Sequence, residues 1–548
     1  MEDLKSENPK IETLEDGGSG SIMTYEAGTV QLLDSKDVVL IPTPSQDPKD
    51  PLNLPRWRKN LIVLIVGLYS AIAVLATSGM GAIVTQVTAM YPTEDPARVT
   101  DLLTYPTLFM GIGNLFAMPL CVAVGRRPVF LVSLTVMVAA GIWCACSKSL
   151  SSHIAARDIL SMAAGQSEAL VAYMVQEVHF LHQRGTAATW NASIQGFGTG
   201  AMFVATTYLV SAWGVRWWYG VITIINGVLL IAAFFLVPET MYDRKLDDFG
   251  KSSTHRKMLV YDFYSNTQGS GEANTTPDGE KVARVATRAN HTLDVSRYGP
   301  RTWKDDLRIF HFQPRWKETL IFYKITGQSF CVPSVVWLLI LNGAFLGVYV
   351  FHSSTFAPLL LGPPYLFKFE FLGFVQLALI IANLIALPVL GYGSDWVIKF
   401  MSRRNKGVYK PEYRLIGIIL PAIVSVIACP IYGQTASHPD KWSWAGIAIP
   451  YAAGLFSFLG ANTVAITYVV DSWPKEAGPL LLIVAAGRGF ISFGLSYATV
   501  PWVSTKGYDG AMRDLAIVCG VFSLLGIPCY IFGKKMRVWS QKTFWPAE

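Results

Sequence analysis

Charge is scarce in this sequence. Lys, Arg, Asp and Glu together make up 15% of its 548 residues, too few to coat a soluble protein of that size. Cysteine is sparse as well: all seven lie in apolar stretches, so a disulfide framework facing an oxidising compartment is not expected. No ATP-binding loop is evident. The nearest approach, Gly250-Lys251-Ser252, has Lys245 where the first glycine is required, and no strand precedes it. No nucleophile–base pair and no metal-ligating cluster stands out, which argues against an enzyme and against a resident cofactor. Basic residues are not interleaved with aromatics in the manner of a nucleic-acid surface.

Apolar residues are abundant, at 52%, and they fall in blocks. Crossing a bilayer takes a helix of roughly 20 apolar residues, because lipid offers nothing to hydrogen-bond an open backbone. Twelve blocks qualify, near 61–80, 102–123, 128–146, 154–176, 188–211, 218–237, 331–351, 371–392, 415–433, 444–470, 479–501 and 512–532. The expected fold is an all-α membrane protein with twelve transmembrane helices in two six-helix bundles. Its parts are a polar, disordered tail (1–58), a first bundle (59–240), a linker (241–328), a second bundle (329–534) and a short tail (535–548). No cleavable signal peptide is expected, since a long polar stretch precedes the first block.

Sixteen Lys and Arg in short segments lie on one side of this topology and seven on the other. The positive-inside rule then places both termini in the cytoplasm. The sequons at Asn274 and Asn290 fall in the linker, where that orientation leaves them unglycosylated. The formal net charge of +7 suits contact with anionic lipid.

Ionisable side chains deep in a bilayer are costly and tend to face a cavity or a partner. Near the middle of the spans stand Glu168 and Arg488, with Arg157 towards the outer end of span 4. Counted from the cytoplasmic ends of spans 4 and 11, Glu168 and Arg488 reach similar depths of roughly 12–14 Å. Opposite charges at one depth, one from each half, are placed to meet across a central cleft. Arg157 and Glu168 are eleven residues apart, within about 20° of one helical face. Desolvation opposes ionisation of the carboxyl and a nearby guanidinium favours it, a competition suited to exchanging a proton for a cationic substrate. Among neutral polar residues, Asn342 and Asn462 are the chosen substrate contacts.

A second set of charges gathers at the cytoplasmic ends. Arg126, Arg127, Glu177, Glu239, Asp395, Arg403, Arg404 and Asp471 lie at one level and are candidates for a gate whose pairs break as the bundles rock. Gly125-Arg126-Arg127-Pro128 between spans 2 and 3 is echoed by Gly391-Tyr392-Gly393-Ser394-Asp395 between spans 8 and 9, as in a duplicated chain.

These hairpins come with further pieces, in order: Asp50-Pro51-Leu52-Asn53, Ser167-Glu168-Ala169-Leu170, Arg216-Trp217-Trp218, Pro238-Glu239-Thr240, Ser394-Asp395-Trp396 and Tyr468-Val469-Val470-Asp471-Ser472. Together they resemble the major facilitator superfamily, and within it the fungal twelve-span drug:proton antiporters with their polyamine-transporter-like branch. The resemblance implies alternating access by two bundles, and span 4 lining the path. It departs in places. Met118 and Val122 replace the Gly and Asp of the first hairpin motif. Span 5 carries Gly196, Gly198 and Gly200 but no Gly-Pro ending, and Ser161 stands where span 4 has a glycine.

The expected function is gradient-driven transport of a small organic molecule. Proton-coupled efflux of a drug-like compound or secondary metabolite ranks first, and proton-coupled uptake of a polyamine or other small nutrient second. A non-transporting membrane sensor is a third reading. The expected partners are the substrate, protons and the bilayer, with no nucleic acid. The protein is read as a monomer in the plasma membrane, the vacuolar membrane being the alternative.

Overall fold

The computed structural model describes residues 33–34, 37–38, 45–242, 295–311, 314–404, 410–473 and 476–545. The sequons and Gly250-Lys251-Ser252 lie outside the described residues, as do most of the N-terminal tail and the first part of the linker. The rest is overwhelmingly helical. Nine described helices are long and apolar enough to cross a membrane. Two of them, Trp190–Leu236 and Ala477–Phe544, each hold two spans joined at a glycine bend. Gly214 has φ 80° and ψ 171°, and Gly507 has φ 70° and ψ 175°. Positive φ is easy only for glycine, and the same device joins spans 5–6 and spans 11–12. Span 4 is split into pieces, Leu150–Ala164 and Leu170–Val178, by a 3-10 turn over Gly165–Ser167. Counting those pieces as one span gives the twelve-helix, two-bundle fold.

The two hairpins differ. Gly125 takes φ 108° and turns the chain between span 2 (Asp101–Val124) and span 3 (Arg126–Cys146). A side chain there would run into the Glu239 carboxylate. The second copy makes no turn at Gly391–Asp395. The chain stays helical through a π-type stretch, Leu387–Tyr392, and a helix, Gly393–Arg404. The expected matching hairpin is therefore corrected: backbone hydrogen bonding continues through both glycines.

Prolines inside spans remove a donor and leave the carbonyl four residues earlier unmatched. In lipid such a carbonyl must find another partner. Span 2 contains Pro106 and Pro119, and both exposed carbonyls are answered by side chains. Arg157 Nε donates to the Leu102 carbonyl at 2.6 Å, and the Tyr323 hydroxyl donates to the Leu115 carbonyl at 2.9 Å.

Tyr323 belongs to the linker helix Trp316–Ser329, which lies along the terminus-bearing end of span 2. Arg315 N donates to Ala123 O at 3.0 Å, capping that span's last turn, and Thr319 reaches Pro119 O at 3.4 Å. The neighbouring Phe322 is buried and fits against Gly478 at the start of span 11. Earlier in the linker, Thr302 and Asp305 form a capping box. Thr302's hydroxyl and backbone N–H both donate to the Asp305 carboxylate and hold its pKa below the usual range.

Asp50-Pro51-Leu52-Asn53 is a built turn. Asp50 accepts from Leu52 N at 2.9 Å, Asn53 donates to Ser45 O and Asp47 O at 2.8 Å, and Lys59 donates to Leu52 O at 2.9 Å.

The proline account has a direct test. Tyr323→Phe should cost about 1 kcal/mol in a detergent unfolding experiment. In a Pro119→Ala background, where the helix supplies its own donor, the same change should cost close to nothing. Equal losses in both backgrounds would refute it.

Candidate functional site

The break in span 4 sets the site. Glycines let spans 2 and 4 approach backbone to backbone: a side chain on Gly113 would meet the Met162 carbonyl, and one on Gly165 the Met110 carbonyl. Gln166 then donates to Gly113 O at 3.0 Å. The chain tightens into its 3-10 turn at this crossing, and Glu168 follows at once with φ −95° and ψ −52°. An interrupted helix at mid-membrane is a recurrent way to present a binding group.

The Glu168 carboxylate accepts from Arg488 Nη2 of span 11. Arg488 Nη1 also donates to Asn462 Oδ1 of span 10 (Ala445–Ser472). Asn342 of span 7 (Pro333–Leu361) donates to that same oxygen at 3.1 Å. Four of the sequence-derived residues thus form one connected cluster. The Phe458 ring lies below the guanidinium at 5.5 Å, and Tyr349 stacks on Phe458 at 6.3 Å with 13° between the planes. Arg488 is 4% exposed and Asn342 fully buried. Among the described residues, Arg488 Nε and Asn342 Oδ1 have no hydrogen-bond partner. The cluster therefore retains one free donor and one free acceptor.

Arg157 does not join them. Its guanidinium donates to Leu102 O, to Ala76 O at 2.9 Å, to Thr77 O at 2.6 Å and to the Tyr219 hydroxyl at 3.2 Å. It clasps the last carbonyls of span 1 (Arg56–Ser78), the proline-freed carbonyl of span 2 and a residue of span 6. The expectation of one polar face running from Arg157 to Glu168 is corrected, because the intervening 3-10 turn ends regular helical periodicity.

The terminus-side charges form pairs inside each bundle. Arg126 pairs with Glu177 at 2.7 Å and covers the Tyr173 ring at 4.8 Å. Glu239 accepts from the backbone N–H groups of Arg126 at 3.0 Å and Arg127 at 3.2 Å. The Arg127 side chain reaches Phe234 O. In the other half, Arg414 pairs with Asp471 at 2.9 Å and Arg537 with Glu412 at 2.8 Å. Arg403 and Arg404 are exposed, and Arg404 lies over Phe400 at 4.5 Å. The side-chain placement of Asp395 is outside the described residues. Each of these described pairs closes within one half, so in this state the paired charges clasp the bundles internally.

Several residues escaped sequence reasoning. Phe458 lies four residues before Asn462, and Tyr349 seven after Asn342, spacings that share a helical face with the chosen asparagines. Asp158, beside Arg157, is buried with one carboxylate oxygen unpartnered among the described residues. His153 sits between the Tyr91 and Tyr219 hydroxyls at 3.2 and 2.9 Å. His352 is fully buried against Tyr432, with ring centroids 4.2 Å apart.

Comparison with known proteins agrees with this architecture. Residues 66–480 match the model of the Major Facilitator Superfamily. The chain is 25% identical to the MFS-type transporter C1271.10c of Schizosaccharomyces pombe, over 93% of this chain and 90% of that protein. Protein HOL1 of Saccharomyces cerevisiae is 24% identical over 93% and 92% of the two chains. Efflux pump radE of Floropilus chiversii is 22% identical over 97% and 92%. Among solved structures, the proton:xylose symporter XylE has the same fold at a TM-score of 0.52 and 14% identity, covering 89% of this chain and 96% of its own.

The clasp reading makes its own forecast. Arg126→Ala should lower the melting temperature in detergent while leaving the inward/outward balance unchanged, as read by labelling single cysteines placed at each mouth. A shift in that balance would restore a gating role.

Proposed function

The chain belongs to the major facilitator superfamily and is a multi-pass membrane transporter; on that footing we propose that it exports a small organic cation, a drug-like compound or secondary metabolite, in exchange for protons. The observation that carries this reading is the Glu168–Arg488 pair, which joins the two bundles at the break in span 4. One carboxylate there has three alternative partners: the guanidinium, a proton and a substrate cation. Proton and substrate compete for one oxygen pair, so occupancy by one excludes the other, which is the requirement for exchange.

When a proton or substrate takes Glu168, the guanidinium must be held elsewhere. Asn462 Oδ1 and the Phe458 face already bear on it, so Arg488 has somewhere to rest. The described close approaches between the bundles include Gly81 of the first against the Ser353 carbonyl of the second, on the face away from the termini. Bundle rocking about the central pair would open that face and close the other. The likeness to an efflux pump over nearly the whole chain favours export. We place the termini in the cytoplasm, the protein in the plasma membrane, and its working unit as a monomer.

A second reading, proton-linked uptake of a polyamine or other small cation, is favoured by span 5. Its glycines end without the Gly-Pro of the antiporter motif. Gly196 and Gly200 instead admit Asn383 and Ile380 of span 8, and Gly198 admits Ala71 of span 1. They are packing surfaces here.

Counterflow in proteoliposomes with an imposed pH gradient, using a panel of cationic and neutral compounds, separates the two. Substrate moving against the proton flow means antiport, and substrate moving with it means symport. Glu168→Gln should reduce gradient-driven flux by at least roughly tenfold, the cost of one charge-assisted contact. Full proton-coupled transport by that variant would end both readings.

A further inference from the structure

The linker helix Trp316–Ser329 presents three rows of side chains. Phe322, Thr326 and Ser329 form the buried row. On that side Arg315 N reaches Ala123 O, Thr319 reaches Pro119 O and Tyr323 reaches Leu115 O, all in span 2. Phe322 meets Gly478 at the start of span 11. The helix therefore lies beside the seam of spans 2 and 11, and after Phe330–Val332 the chain enters span 7 at Pro333. Packed on one apolar span and leading into another, it sits at the edge of the bilayer.

The other two rows are uncovered among the described residues. Trp316, Leu320 and Tyr323 make one, with Leu320 72% exposed and Trp316 58%. Lys317, Ile321 and Lys324 make the next, and all three are exposed. Positions four and seven apart share one side of a helix, so each row is continuous. The free charge here is of one sign. Glu318, the acid of this helix, pairs with Arg315 at 3.3 Å, whereas neither lysine has an ion-pair partner among the described residues. The same composition recurs upstream, where Trp303 and Phe310 are exposed beside exposed Lys304 and Arg308. There too the acids are engaged: Asp306 holds Arg58 and Arg301, each at 2.7 Å, and Asp305 accepts from Thr302. An acidic peptide would answer the lysines and leave the apolar row in water. Lipid answers both, with rings in the acyl boundary and ammonium groups extended to the headgroups.

We propose that this face of the linker helix is a binding surface for anionic phospholipid of the terminus-side leaflet. Trp316, Leu320 and Ile321 enter the acyl boundary, and Lys317 and Lys324 each take an anionic headgroup. The lysines are seven residues apart, about 10 Å along the axis, so two headgroups are held side by side. Zwitterionic lipid satisfies the apolar row alone, because its phosphate is already offset by its own cation. The surface is independent of what Glu168 binds and of the direction of transport.

A local probe tests it on the full chain. A bimane label is placed by Leu320→Cys, between the two lysines, with the exposed Cys146 and Cys331 changed to Ser. The protein is reconstituted in phosphatidylcholine vesicles containing brominated phosphatidylserine or brominated phosphatidylcholine as quencher. Half-maximal quenching should need about fivefold less of the serine lipid, the worth of one basic side chain at an anionic surface. High salt should remove that preference, since the charges are exposed. Lys317→Gln with Lys324→Gln should bring the ratio close to one while both lipids still quench, which also shows that the variant has kept its fold. Equal quenching by the two lipids in the parent, or a preference that survives the double variant, overturns the proposal. Absence of quenching by either lipid overturns it as well, because the face is then in water or covered by protein.

Discussion

In the middle of a bilayer neither a charge nor a peptide carbonyl is left alone without cost, because no water is present to serve it. The observed packing answers that constraint at several places where the sequence strains it. Span 2 carries two prolines, each of which strips a carbonyl of its helical donor. The remedies differ in kind. Leu102 O is served by Arg157, which also gathers the end of span 1 and Tyr219 of span 6. Leu115 O is served by Tyr323, which comes from the linker. One proline thus stitches the first bundle together, and the other fastens the linker to it. An unserved buried carbonyl costs about 1–3 kcal/mol, a sizeable share of a marginal stability.

The same constraint applied to charge gives the Glu168–Arg488 pair. Taking both groups out of water costs more than a surface pair returns, and removing one partner from a buried pair typically costs about 3–5 kcal/mol. A buried ion pair is therefore weak evidence for stability and better evidence for a specified arrangement. Here the arrangement includes an interrupted helix, two asparagines and an aromatic face. Asn462 receives both Arg488 and Asn342 on one oxygen. It fixes the guanidinium while leaving Arg488 Nε and Asn342 Oδ1 unused among the described residues. Unpartnered atoms also occur at Arg126 and Arg127 among the described residues, so what sets this cluster apart is the interrupted helix and its sharing by both bundles. Arg157 is the contrast within the same span, with four acceptors around its guanidinium.

Depth was legible in the sequence, and direction was not. Counting residues from the span ends put Glu168 and Arg488 at one level, and the structure brings them together. Asn342 and Asn462 lie in spans 7 and 10, which the resemblance makes cavity-lining, and they join the same cluster. Arg157 was placed on the Glu168 face by helical periodicity, which holds only while the helix is continuous. Gly165–Ser167 ends it, and no local signal beyond Gly165 marks the break, which sits where Gly165 meets the Met110 carbonyl and Gly113 the Met162 carbonyl. The second hairpin failed for a related reason: paired glycines at 391 and 393 read as a turn, yet the helix runs through them. Twelve apolar blocks were visible because lipid demands length, whereas the glycine bends at 214 and 507 depend on φ, which composition does not report.

The distribution of ion pairs bears on how the molecule moves. Arg126–Glu177, Arg414–Asp471 and Arg537–Glu412 each lie within one half, and Glu239 ties the turn after span 2 to the end of span 6. These contacts make each half stiffer at the terminus-bearing face. Between the halves the described approaches include Gly111 against Ala486, Gly489 against Thr107, Gly200 against Ile380 and Gly81 against Ser353, with Thr207 and Ser211 donating to Glu370 at one end of the seam. Glycine seams are smooth, and sliding or tilting across them breaks few directional bonds. The central pair is directional, charged and shared by both halves at the break in span 4. A rocking motion that leaves the clasps intact and the seams in contact still has to act on Glu168 and Arg488. On the exchange we propose, whatever occupies that carboxylate gains leverage over the motion, which would link the chemistry of one side chain to the state of the whole carrier.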